Sequence, residues 1–255
     1  MLKLKYTLVF VMVFFLILST LDIVFGISFW WYLIPLGLLL FFITLGSFRI
    51  DLSFYLDVIC KIKSENKVVL TFDDGPDEFV TPKVLEVLKK HNVKAVFFII
   101  GDKAESIPSL VKQAFDDGHI IANHSCCHRS LYGFYPSQKV MVDIDKSQEI
   151  IKNIIGLRPR FFRPPFGVTN PNMKIAIQRL RLIAVGWSLR SLDTVQSNLD
   201  KLSQRISKVK AGDIVLFHDR VQGIEHVLED FIISCRQQHL DFIRLDEALK
   251  MEAYE

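Results

Sequence analysis

Val68-Val69-Leu70-Thr71-Phe72-Asp73-Asp74-Gly75-Pro76 is the stretch on which the reading of this 255-residue chain turns. Its first five residues are apolar or β-branched, the pattern of a short strand buried on both faces. Strands buried on both faces belong to parallel sheets covered by helices. Asp-Asp-Gly-Pro then stops the strand with turn-forming residues. Alone it is an ordinary turn, but it stands at the C-terminal end of a buried strand.

Outward from it the alternation continues. Thr81-Pro82 supplies a helix start, with Val84, Leu85, Val87 and Leu88 on one face. Ala95 to Ile100 is a second strand, Ser109 to Asp117 a helix stopped by Gly118, and His119 to Ala122 a third strand. Ser137 to Ile155 is a long amphipathic helix ended by Gly156. Strands over Leu182–Trp187, Asp213–Phe217 and Phe242–Arg244 alternate with helices near Asn172–Arg181, Leu199–Val209 and Ile224–Gln238. About seven such units predict an α/β fold, a closed or nearly closed barrel rather than an open sheet.

The chain is 50% hydrophobic and 23% charged, and the excess sits at one end. About 35 of the first 48 residues are apolar, against about 44% of the rest, which is ordinary for a globular domain. Between Thr7 and Phe48 the sole charge is Asp22. Two apolar runs, Thr7–Phe25 and Ile27–Phe48, are parted by Gly26 and Ser28, and each approaches the ~20 residues that cross hydrocarbon as a helix. Trp30, Trp31 and Tyr32 suit a headgroup boundary. The division expected is residues 1–48 as a transmembrane hairpin, 49–66 as a connector and 67–255 as a catalytic domain. A single anchor or re-entrant pair is the other membrane reading. A cleaved signal peptide fits Lys3 and Lys5, but the run is long and lacks a small-x-small cleavage site. Positive residues flank both runs, so two crossings put both termini, and the catalytic domain, on the cytoplasmic side. Cys60, Cys126, Cys127 and Cys235 show no disulfide spacing and mildly favour a reducing compartment. A net charge of +3 with no basic stripe gives no argument for nucleic acid.

Polar clusters follow the strands: Asp73–Pro76, Asn123–His128, Arg163–Gly167, Trp187–Asp193 and His218-Asp219. In a parallel barrel those strand ends converge on the face where active sites form. Each has a bland reading: a turn, a chance His-x-x-x-His, a stiff Arg-Pro-Pro, a core tryptophan, a satisfied core histidine. Five on one rim are not explained that way.

Thr71–Pro76, His124-Ser125-x-x-His128, Arg163-Pro164-Pro165-Phe166-Gly167 and Ile214–Asp219 resemble, in order, the motifs of the polysaccharide deacetylases, the NodB-homology group or carbohydrate esterase family 4. The resemblance runs from about Lys67 to Leu249. It implies a distorted (β/α)7 TIM-like barrel, here preceded by the apolar hairpin. It also implies hydrolysis of an N-acetyl or N-formyl group from an amino sugar of a polysaccharide, oligosaccharide or lipid-linked glycan. By the same resemblance Asp74, His124 and His128 bind a divalent metal, Zn²⁺ first, with Co²⁺, Ni²⁺ or Mn²⁺ as alternatives. The metal's water is the nucleophile, Asp73 the general base, Arg163 the holder of Asp73, His218 the general acid and Asp193 its orienting partner. The backbone of Phe166 helps hold the oxyanion, and Pro165, Trp187 and Arg190 are candidate substrate contacts.

A further stretch, Trp187-Ser188-Leu189-Arg190-Ser191-Leu192-Asp193-Thr194, departs from the family pattern. Arg190 stands where an acid is usual and Thr194 where a tryptophan is usual, which opens the pocket and adds charge at its rim. That pairing motivates an anionic substrate group near Arg190, such as a phosphate joining sugar to lipid. The rival class is a non-catalytic carbohydrate-binding or scaffold protein on the same fold. It would be expected to lose ligands or acid–base residues, and this chain keeps them.

Overall fold

The computed structural model describes residues 3–195 and 199–255. Helix α1 (Leu4–Phe25) is ended by Gly26 in the left-handed region at φ 63°. A short 3-10 turn at Phe29–Tyr32 leads into α2 (Leu33–Phe48). The two fold back on one another: the Tyr32 hydroxyl donates to Asp22 at 3.4 Å, and the Phe15 and Tyr32 rings lie 6.1 Å apart. Leu4–Phe25, and Phe29–Phe48 counted with the 3-10 turn, are long and apolar enough to cross a membrane. Their inner ends meet the rest of the protein together. The Leu4 amide donates to the Phe54 carbonyl at 3.1 Å, and the Tyr55 hydroxyl to Ile43 at 3.2 Å.

The remaining elements alternate as the apolar pattern predicts: β1 (Lys67–Asp73), α3 (Thr81–Lys90), β2 (Val96–Ile99), α4 (Gly101–Ser106), α5 (Pro108–Asp116) and β3 (Ile120–Asn123). Then come α6 (Ser137–Ile155), β4 (Phe161–Phe162), α7 (Pro171–Arg179), β5 (Ile183–Ala184) and β6 (Leu189–Arg190). The chain finishes with α8 (Leu199–Ile206), β7 (Ile214–His218), α9 (Ile224–Gln237), β8 (Asp241–Phe242) and α10 (Leu245–Leu249). The strand order is β5-β4-β3-β2-β1-β7-β6, with β8 beside the start of β1. Every pairing is parallel.

Two-residue alternation divides β1 between two cores. Val68, Leu70 and Phe72 point to the helical layer, where Phe72 stacks on Phe97 at 5.0 Å and meets Phe217 at 6.1 Å. Val69 points into the barrel with Val96, Phe98, Ile120, Phe161 and Ile214. Thr71 and Asp73 continue that inner row, so the last inward residue of β1 is a carboxylate.

The barrel is not closed by strands. Among the described residues β5 and β6 do not pair, and the segment before β1 enters the gap. Ile59 bridges Val185 in parallel and Lys61 bridges Asp213 in antiparallel fashion. The Ile59 amide donates to Ala184 at 2.9 Å and its carbonyl accepts from Gly186 at 2.9 Å. Two elements have no apolar period to betray them: α4, built of Gly-Asp-Lys-Ala-Glu-Ser, and the two-residue β6.

Candidate active site

At the top of β1, Asp73 is buried and its Oδ1 accepts from Arg163 Nη1 at 2.6 Å. Arg163 is wholly buried and divides its donors. Nη1 also reaches Thr71 Oγ1 at 2.9 Å, Nε reaches the Val185 carbonyl at 3.2 Å, and Nη2 the Gly186 carbonyl at 2.7 Å. Its guanidinium stacks 4.0 Å from the Phe98 ring centroid. The planar fork therefore holds Asp73 by one oxygen and spends the rest on the strand ends. Burial lowers the Arg163 pKa, against the pull of Asp73, so the pair is costly to break.

Asp74 takes φ 72°, a left-handed geometry that aspartate tolerates, and this swings its carboxylate away from Asp73. It faces two imidazoles: Asp74 Oδ1 lies 3.5 Å from His124 Nε2 and 3.4 Å from His128 Nε2. A second tight turn brings those rings together. Asn123 Oδ1 accepts from the Ser125 amide at 2.8 Å, Ser125 sits at φ 71°, and its hydroxyl accepts from the His128 amide at 3.1 Å. The His124 Nδ1 lies 2.8 Å from the Arg163 carbonyl, which can only accept, so Nδ1 carries the proton and Nε2 is left as a ligand. One donor atom from each of the three residues lies within 4.8 Å of the others. Two imidazoles and a carboxylate fit a divalent cation with open positions. Burial, followed by the neighbouring His124, pushes His128 down to about 4, leaving it neutral and ligand-competent at neutral pH. Burial works against ionised Asp74, but His124, His128 and Arg220 outweigh it and its pKa is lowered.

On the far wall, His218 ends β7. Its Nδ1 lies 2.6 Å from Asp193 Oδ1, and its amide donates to Asp193 Oδ2 at 2.7 Å. Burial disfavours the imidazolium, but Asp193 overcomes this and the His218 pKa is raised. Both ion pairs and the histidine cluster open into one cavity of about 600 Å³. Phe166 lies on its rim at φ 59°, its ring 4.4 Å from that of His128. The next two amides are engaged, Gly167 with Pro164 at 2.9 Å and Val168 with Pro165 at 3.1 Å. Gly167, at φ 68°, leaves room for the Trp187 ring, which would occupy the space of a Cβ there. Trp187, Arg190 and Thr194 line the cavity, whereas Pro165 is buried in the turn that carries Phe166. Arg190 stands 5.7 Å from the Trp187 ring, with its Nε buried and without a hydrogen-bond partner among the described residues.

Arg220 escaped the sequence reading, and Asp219 entered it only as part of the His218-Asp219 cluster, without a role. Arg220 Nε donates to Asp74 Oδ2 at 2.8 Å. Asp219 is buried beneath the Asp74-Gly75 turn, where its Oδ2 accepts from Thr81 at 2.7 Å and its Oδ1 has no partner among the described residues. A Cβ on Gly75 would collide with that carboxylate. The available signal was their position directly after His218 at a strand end. Cys126 and Cys127 donate to Asp102 and Asp143, each at 3.0 Å, and burial pushes the thiols up to about 12 and about 11. Cys126 is buried and Cys127 lines the cavity, and neither belongs to the Asp74, His124, His128 cluster.

A parallel β/α barrel here carries a two-histidine, one-carboxylate cluster between two buried ion pairs, a donor set that suits a divalent cation. The polysaccharide deacetylase family model matches residues 61–185. A peptidoglycan-N-acetylglucosamine deacetylase of Bacillus cereus strain ATCC 14579 is 33% identical over 184 residues, 70% of this chain and 66% of that one. A peptidoglycan-N-acetylmuramic acid deacetylase of Bacillus subtilis strain 168 is 32% identical over 190 residues, 72% of each chain. A crystal structure of a peptidoglycan N-acetylglucosamine deacetylase superposes with a TM-score of 0.73 at 29% identity, covering 78% of this chain and 95% of that one. The chain spans just under two-thirds of the length of the B. cereus relative. It belongs to the polysaccharide deacetylase family.

Proposed function

We propose that the chain is a metal-dependent hydrolase that removes an N-acetyl or N-formyl group from an amino sugar. The observation that carries this is the convergence of Asp74, His124 and His128 with the Asp73–Arg163 and His218–Asp193 pairs on one cavity. A divalent cation held by Asp74, His124 and His128, Zn²⁺ before Co²⁺, Ni²⁺ or Mn²⁺, supplies Lewis-acid activation of water and of the acyl carbonyl.

The chain's own groups do the rest. Arg163 holds Asp73 by Oδ1 and leaves its second oxygen to take a proton from the attacking water. The Phe166 amide donates to the oxyanion. His218 gives the proton on Nε2 to the departing nitrogen as the C–N bond breaks, since an amine leaves poorly as an anion. Asp193 holds the ring and favours its charged form. The products are the free amino sugar and acetate or formate. The names of the relatives support an amino-sugar polymer as the substrate class. Arg190 and Arg220 at the rim favour a glycan with an anionic group, such as a lipid-linked phosphate.

In this reading residues 67–255 are the catalytic domain, residues 49–66 connect, and residues 1–48 cross the cytoplasmic membrane twice, leaving the active site on the cytoplasmic side. The test is acyl release from N-acetylated and N-formylated glucosamine oligomers by the purified full chain with added Zn²⁺ or Co²⁺. Asp73→Asn and His218→Ala are each expected to lose about 10²–10⁴-fold. Release by the variants equal to that of the parent would remove the assigned roles.

A further inference from the structure

Leu131 and Phe134 are 63% and 85% exposed, yet they flank Tyr132, which is 1% exposed. Tyr132 is packed in the same apolar cluster as Phe54, Tyr55 and Leu56, against which Leu4 of α1 and Phe42 of α2 also rest. The loop that presents the two outward side chains is thus rooted in the inner end of the hairpin.

Hydrogen bonds continue the link. Asn170 Nδ2 donates to the Gly133 carbonyl at 2.6 Å. The neighbouring Thr169 donates its amide to Ser47 at 3.0 Å and its hydroxyl to Gly46 at 3.3 Å. Those carbonyls lie in the last turn of α2, before Arg49, the first charge after the apolar run. Thr169 therefore reaches the depth at which α2 leaves hydrocarbon. Gly46 lets Phe54 pack against the end of α2, because a Cβ there would overlap the Phe54 ring. At the same end, Lys3, Lys5 and Lys174 line a second cavity of about 630 Å³ together with Asp57, which pairs with Lys3, leaving a net positive rim of the kind found at a phosphate headgroup layer.

We propose that the Leu131–Phe134 loop is a membrane contact that rests in the headgroup layer beside α2 and holds the mouth of the catalytic cavity at the bilayer surface. The substrate class is then an acylated amino sugar presented by the membrane itself, attached to lipid. This rests on the hairpin crossing the membrane and goes beyond it, since a hairpin on a long tether would leave the loop in water. Thr169 stands three residues from Phe166, so the segment that touches the end of α2 also carries the cavity rim.

The test uses the full chain in nanodiscs containing lipids brominated near the headgroup. A bimane probe is placed by Phe134→Cys, with Phe41→Cys as a hairpin control and His226→Cys as a probe on the exposed face of α9, each corrected for labelling of the parent chain. Quenching at 134 and 41 but not at 226 supports the proposal. Quenching at 41 alone overturns the loop contact and leaves the hairpin standing. No quenching at 41 overturns the membrane reading and with it this one. In parallel, a Leu131→Ser, Phe134→Ser double variant should lose about tenfold in kcat/KM on N-acetylglucosamine coupled to lipid in the same nanodiscs. Its rate on soluble N-acetylglucosamine oligomers should be unchanged. Equal loss on both substrates, or on neither, overturns the proposal.

Discussion

Asp73 and Asp74 are chemically identical neighbours with different tasks, and backbone geometry separates them. Asp73 is the last inward residue of a strand and meets Arg163, while Asp74 turns through φ 72° toward two imidazoles. A similar contrast holds for His218 and Asp219. Asp193 raises the His218 pKa against the effect of burial. Asp193→Asn should therefore move the alkaline fall of kcat/KM to lower pH as well as lowering the plateau; an unshifted limb would show that His218 is not the titrating acid. Asp219 has no such partner, and burial pushes it up to about 7. A carboxyl whose folded pKa exceeds its unfolded value binds its proton more tightly when folded. Its contribution to stability is complete below about 4, the unfolded value, and is lost as pH rises through about 7. Asp219→Asn should remove that loss: its melting temperature should exceed the parent's at pH 8, with the gap closing toward pH 4. The difference is on the order of a few kcal/mol at its largest.

At the scale of elements, the turn Pro165–Gly167 shows how a loop is held to catalytic tolerance. It is pinned before by wholly buried Arg163 and after by Thr169 on the end of α2, with two consecutive left-handed residues between. Gly167→Ala places a methyl group where Trp187 packs, at a φ that alanine resists. Roughly 1–3 kcal/mol of stability should go. kcat should fall more than the affinity for Co²⁺, read from its visible spectrum, because the histidines lie on a different loop. Equal loss of both would show that the turn supports the metal cluster rather than the oxyanion. These turns were legible as motifs, since Asp-Asp-Gly-Pro and Arg-Pro-Pro-Phe-Gly carry their own turn chemistry. The short α4 was not legible, because its amides are satisfied by tertiary partners, Gly101 by Ser125 and Asp102 by Cys126, rather than by an apolar face. The two-residue β6 exists because Leu189 and Arg190 pair with Val215 and Leu216.

For the whole molecule, the hairpin and the barrel are joined at the rim that bears the cavity. A C-terminal fluorescent-protein fusion should fluoresce in the cytoplasm, and the matching alkaline phosphatase fusion should be inactive; the reverse would mean an odd number of crossings and an external active site. The sequence by itself determined the alternation of buried strands and amphipathic helices, the apolar end, and the order of the polar clusters, because periodicity and turn chemistry are local properties. Phe72 could be placed in a strand from five residues of context. Only the tertiary structure decided that the segment at Ile59–Lys61 enters the gap between β5 and β6, that Arg163 divides its donors among four oxygens, and that Asp219 and Arg220 flank the Asp74 turn. It alone brought Thr169 to the carbonyls of Gly46 and Ser47. Those contacts join residues tens to more than a hundred positions apart, and their energy lies in burial and in satisfying buried polar groups, neither of which leaves a local periodic trace.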